Sequence, residues 1–227
     1  MSPQQSRRAL ARVTDEAVAV TGELYGRLTG TPDAIRAALL ETVPGVIDYY
    51  GTGAGVLAAD FYDDSRARAG AEGSYTSELV MNDRTVKVRR AVAWASEPMF
   101  SVSLAEVAVT TAVLSRLAEV VQPEVALPYR DTITTNRRLD PASVGWRRVQ
   151  GDACGFCRML ADRGAVYKES TARFAAHPAC DCSAEPVFEG QTVGPEASAM
   201  QYMASKRSRT PAQQAALRSY LDTFYPE

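Results

Sequence analysis

Histidine is almost missing from this chain: His177 is the single one in 227 residues. Cysteine is absent from the first 140 residues. The long first part therefore has no imidazole base and no thiol nucleophile, so it holds neither a Ser-His-Asp nor a Cys-His apparatus. An excess of one charge is lacking too. The formal net charge is −2, and no global field draws the chain to nucleic acid or to an anionic membrane. No apolar run approaches the roughly 18–20 residues of a membrane span, so no membrane partner is expected. The opening MSPQQSRRALARVTDEA lacks the apolar core of a secretory signal. The expectation is a protein folded in a reducing cytoplasm, where thiols persist and disulfides are rare. Internal repeats and low-complexity linkers are absent as well.

Helix dominates what is there. Leu10, Val13, Ala17, Val20, Leu24 and Leu28 recur at helical spacing, and Gly30 is a plausible stop. Thr31 and Pro32 restart a helix as N-cap and first helical residue. Pro44 is expected to end that helix or open the next. Residues 44–69 read as helix with a small-residue face carrying Gly51, Gly53 and Gly55. This G-x-G-x-G has no preceding β-branched strand and no following Lys-Ser/Thr, so close helix packing is preferred to a phosphate loop. Asp60, Asp63, Asp64, Arg66 and Arg68 read as a solvated charged face. A loop follows over 70–83, with a short strand near Ser77–Met81.

A helix through Val88, Val92 and Ala95 ends before Pro98. Ser103 and Glu106 fit a capping box. It opens a helix along Leu104, Val107, Thr111, Leu114, Ala118 and Val121 that should stop before Pro123. A last helical stretch runs over 127–138 and ends near Asp140. Beyond Pro141 the texture changes. Strands are expected at 144–149, 165–167 and 183–188, with short helices at 157–162 and 170–176. The tail after Gly190 is helical over 195–206 and 211–224. The fold class is α+β: a helical domain over 1–140, a small zinc-stapled α/β module over 141–190, and a helical tail over 191–227.

All the cysteines lie between 154 and 182, with the histidine among them. Cys154 and Cys157 form C-x2-C; His177, Cys180 and Cys182 form H-x2-C-x-C. Thiolates and imidazole suit a tetrahedral zinc ion, and C-x2-C puts two sulfurs on one turn. A module of this size buries too little to stand alone. A structural zinc supplies on the order of 10–16 kcal/mol in small peptides. One structural zinc is therefore expected. Cys154, Cys157 and His177 are the firmest ligands on spacing. The fourth is Cys180 or Cys182, which point to opposite sides of an extended segment; Cys182 is preferred. Losing a ligand should then unfold 144–188 and leave the helices intact. The alternative is buried cysteines that merely pack.

A catalytic zinc would need an open position and a base, with Glu185 or Asp181 as candidates. The ligands suffice to close the shell, so no enzyme activity is expected. The tail cations Lys206, Arg207 and Arg209, near Tyr202 and Arg218, could touch phosphates, and Arg147-Arg148 could join them. A solvated helix end is the plainer account of that tail.

The segment VGWRRVQGDACGFCRMLADRGAVYKESTARFAAHPACDCSAEPVF, residues 144–188, resembles the C-terminal module of the Mu F-like phage head morphogenesis (minor head protein) family. The carrying residues are Trp146, Cys154, Cys157, Leu160, Ala161, Tyr167, His177, Pro178, Cys180, Cys182, Pro186 and Val187. The resemblance implies a minor capsid protein present in few copies at the portal vertex or inner capsid of a virion. Its partners would be the portal protein, the major capsid protein, or packaged DNA, with no small-molecule substrate. Related genes are sometimes labelled capsid maturation protease, but no protease constellation stands in this sequence.

Overall fold

The computed structural model describes residues 1–151, 155–162, 182–191 and 210–225. Six α-helices and a two-stranded antiparallel sheet stand among the described residues, which is a mostly helical α+β architecture. Helix α1 (Pro3–Arg27) starts on a reciprocal cap. The Ser2 hydroxyl accepts from the Gln5 amide at 3.2 Å, and the Gln5 side chain accepts from the Ser2 amide at 2.7 Å. Thr31 caps α2 (Pro32–Ala69), as its position before Pro32 implies. Gly70 ends α2 in the left-handed region at φ 63°, where a side chain would be strained. The remaining elements are α3 (Thr85–Ala95), a 3-10 turn (Glu97–Phe100), α4 (Glu106–Leu139), β1 (Ser143–Val149), α5 (Gly155–Asp162), β2 (Ser183–Phe188) and α6 (Pro211–Phe224).

The helix boundaries expected at Pro44 and Pro123 are not there. Pro44 lies inside α2, and Pro123 and Pro128 lie inside α4. An interior proline removes one backbone hydrogen bond and costs about 3 kcal/mol. Burial on either side offsets that cost. Val43 and Ile47 flank Pro44 in the core; Val120, Val121, Val125 and Ala126 surround the prolines of α4. The capping box at Ser103 is also absent. Ala105 is the N-cap of α4 and makes no side-chain cap.

Helices α1, α2 and α4 pack together, and two apolar clusters form along them. The first joins Ala17, Leu39, Val43, Val92, Leu117 and Val121, with α3 docked against it. The second joins Leu10, Ala58, Tyr62, Tyr129, Ile133, Trp146 and Phe188. The G-x-G-x-G of α2 serves close packing. A Cβ on Gly51 would lie 3.3 Å from the Pro128 ring of α4, and one on Gly55 would overlap Leu79. Gly53 faces open space.

No strand forms at Ser77–Met81. The segment is held from the side instead. Asn136 accepts from the Glu78 amide and donates to the Glu78 carbonyl, both at 2.8 Å. The Thr132 hydroxyl accepts from the Val80 amide at 3.1 Å, and Asp63 accepts from the Ser77 amide at 2.9 Å. The acidic and basic run of α2 is thus less solvated than its composition suggests. Arg66 reaches the buried Asp140 at 3.0 Å, and Asp140 also accepts from Tyr62 and from the Ala142 amide. Asp64 pairs with the chain's amino terminus.

β1 and β2 form an antiparallel ribbon in the register Trp146 to Pro186 and Arg148 to Ala184. All six residues of β2 are buried. Trp146, Ala184 and Phe188 enter the same cluster as Leu10 and Tyr129, so the ribbon completes the helical core.

Candidate functional site

The described part of the cysteine region sits on this ribbon. Cys182 immediately precedes β2 and is 1% exposed. Its carbonyl accepts from Arg130 of α4 through Nη2 at 3.0 Å and Nε at 3.3 Å. Arg130 is itself buried, and the guanidinium fixes where β2 begins. Cys157 lies on the buried face of α5 beside Leu160, also 1% exposed. Helix α5 packs against β1. Two of the five candidate ligands are therefore thiols shielded from water. A thiolate in such a place must be neutralised, and a closed tetrahedral zinc site does that without admitting water. Cys157 and Cys182 supply the donor type that such an ion takes. Cys154, His177 and Cys180 lie outside the described residues, as do Lys206, Arg207 and Arg209. No group of three His, Cys, Asp or Glu side chains converges among the described residues.

Glu185, a candidate base, is committed elsewhere. Both of its oxygens accept from Arg147 across the ribbon, at 2.7 and 3.0 Å. Those bonds hold the Arg147 guanidinium above its ordinary pKa. The other candidate base, Asp181, lies outside the described residues. Arg148 is 4% exposed, so the Arg147-Arg148 pair is not an open cationic surface for phosphates. Arg147 and Glu185 border an open cleft of about 380 Å³ that also touches Gln4, Gln150 and Asp162.

Tyr129 ties the ribbon to two helices. Its hydroxyl lies 2.7 Å from the Ser6 hydroxyl of α1 and donates to the Ala184 carbonyl at 3.5 Å. Burial pushes its phenol far above the ordinary range, so it stays protonated. Reading of the sequence missed Arg130 and Tyr129. Each is a polar residue in an otherwise apolar helical stripe, which is the one signal that could have found them.

A second surface lies at the other end of the molecule. Of the expected α4 stripe, Val121 is buried and Ala118 half-buried, but Leu104, Val107, Thr111 and Leu114 are exposed. The buried stripe is Val113, Leu117, Val120, Val121 and Val125. Val102 is fully exposed at 104%, Val107 at 79%, and Trp94, Phe100, Leu104 and Leu114 at 37–44%. Trp94 lies at the end of α3, Phe100 on the 3-10 turn, Val102 and Leu104 on the link before α4, and Val107 and Leu114 on α4. Arg116 stacks over Trp94 at 4.8 Å, and Arg36 over Phe100 at 5.4 Å. Large exposed apolar side chains mark an interaction site when they form one patch.

The chain belongs to the VG15 protein family, whose model matches residues 2–206. The designation is that of a viral gene product. No curated protein and no solved structure matches the chain. Among the described residues no helix is long and apolar enough to cross a membrane.

Proposed function

We propose that this chain is a minor head protein of a tailed bacteriophage, a structural component that acts in head morphogenesis at the portal vertex or inner capsid. The observation that carries the reading is the exposed apolar tip of Phe100, Val102, Leu104 and Val107 on a chain of a viral family. That tip is the face offered to the portal or major capsid protein. At the opposite end, one structural zinc held by Cys154, Cys157, His177 and either Cys180 or Cys182 would fix the turn before α5 to the start of β2. The ion would supply charge neutralisation and cross-linking there, with no part in bond breaking. Near the start of β2, Arg130 holds the Cys182 carbonyl, and across the ribbon Arg147 occupies Glu185.

The test is incorporation. Val102→Asp with Val107→Asp changes two exposed positions and should leave the helical circular dichroism unchanged. In virions assembled with this variant, its content should fall at least about tenfold, since a charge desolvated at an interface costs several kcal/mol. Heads that retain the folded variant at the wild-type level would overturn the assignment of this face.

A further inference from the structure

Helix α6 begins after the residues that the family model matches, and it buries no side chain. Yet its end is fixed. The Tyr225 carbonyl accepts from Arg158 Nη2 of α5 at 3.0 Å. A Cβ built on Gly155 would lie 2.5 Å from that carbonyl oxygen and 3.2 Å from the Tyr225 Cβ. Backbone cannot give way at such a distance, so glycine at 155 is what lets Tyr225 approach. The phenol of Tyr225 is pushed up by burial and by a hydrogen bond to Asp162, at the far end of α5. Tyr225 thus lies along α5 from its first residue to its last. Tyr220 lies against Phe224 at 4.8 Å and against Tyr225 at 6.1 Å, joining the last turns of α6 to the contact.

Gly155 is one of the two residues between Cys154 and Cys157. We infer that Tyr225 is a latch that holds α6 on the first turn of α5, which carries Cys157, so that docking of α6 and the state of that turn are coupled. Two physical facts give the latch its effect. A helix of 14 residues is marginal in water on its own, even with the Thr210–Gln213 capping box that α6 carries. Undocked, α6 melts. In the other direction, a turn covered by Tyr225 and braced through Arg158 has fewer conformations to lose when two sulfurs take up one ion. Coupling between two sites is reciprocal, so a bound ion stabilises α6 by the same factor that α6 tightens the ion. This second half rests on the zinc reading above; the latch itself rests on the Tyr225 contacts.

The test uses the full chain and two substitutions. Gly155→Ala blocks the approach of Tyr225 while improving the intrinsic helix propensity of α5. Arg158→Met removes the donor and keeps the apolar stem, away from the cysteine turn. Hydrogen exchange of the peptide covering 211–224 should accelerate at least about tenfold in both variants, with exchange in α4 unchanged. Zinc affinity, measured against a competing chelator, should fall roughly fivefold or more. Wild-type α6 protection in Gly155→Ala would overturn the latch. Lost α6 protection with unchanged zinc affinity would overturn the coupling and leave the contact. A wild-type protein purified without zinc would overturn the metal reading, and the latch would then stand or fall on exchange in α6 alone.

Discussion

Asn136 does for the segment around Glu78 what a neighbouring strand would do. It is fully buried, and its amide meets both backbone groups of Glu78 while its oxygen also accepts from Tyr75 at 2.7 Å. Its Nδ2 further donates to the Thr132 carbonyl at 2.8 Å. Asn136→Ala strips partners from several buried groups at once and should cost about 2–3 kcal/mol, read as a lower denaturant midpoint. Faster exchange of the Glu78 amide should accompany it. An unchanged midpoint would mean that water replaces the side chain without penalty. No sequence signal marked this residue: Asn at the end of a helical stretch is ordinary, and its value comes from a segment almost sixty positions away. Thr31 was legible for the opposite reason, because a cap acts on its own next turn.

At the scale of elements, local chemistry located the helices and misjudged their limits. Proline is a strong breaker in isolation, and Pro44 and Pro123 each argued for an end. Burial around them outweighs the local cost, and that burial is tertiary, so it is not written in any window of ten residues. The stripe of α4 was misread for a related reason. Leu104, Val107 and Leu114 keep perfect helical spacing, but spacing says nothing of whether another element reaches that far.

The docking of α3 on α4 carries a pH signature. Glu124 accepts from Arg84 at 2.6 and 3.0 Å and from Lys87 at 2.9 Å. Burial raises its pKa, but these cationic hydrogen bonds overcome that and hold it below its ordinary value. A carboxyl depressed in the folded state stabilises the fold above its unfolded pKa, near 4.3. That stability is lost as pH falls below this value toward the folded pKa. Thermal melts of the wild type should therefore drop through that acid window, and Glu124→Gln should flatten this part of the profile while lowering the neutral-pH melting temperature. Parallel profiles for the two proteins would count against the linkage.

Over the whole molecule, the candidate metal region has two sources of support. Its cysteine pattern was legible because ligand spacing is local, and that pattern suggested a module dependent on its ion. What the spacing could not show is Trp146 and Phe188 seated among Leu10, Tyr62 and Tyr129. Long-range packing of this kind follows only from the assembled fold. The expectation for ligand loss changes accordingly. Protein purified without chelator should carry one zinc per chain by metal analysis, and Cys157→Ser or His177→Ala should abolish it. Amides of β1 and β2 should nonetheless stay protected, because the helices hold the ribbon independently. A metal-free wild type would remove the zinc, and loss of ribbon protection in these variants would show that the ion does more than the helices.

One feature of α4 reaches across both ends. Its contribution to the first apolar cluster ends at Val125, and its contribution to the second begins at Ala126. That handover falls between Pro123 and Pro128, where the rungs lost to proline leave the helix most easily bent. The shaft joining the apolar tip to the cysteine-bearing end therefore has its joint where it changes neighbours. Tilt can be taken up there with each half of the core intact, so strain imposed on the tip need not be passed on to the ribbon.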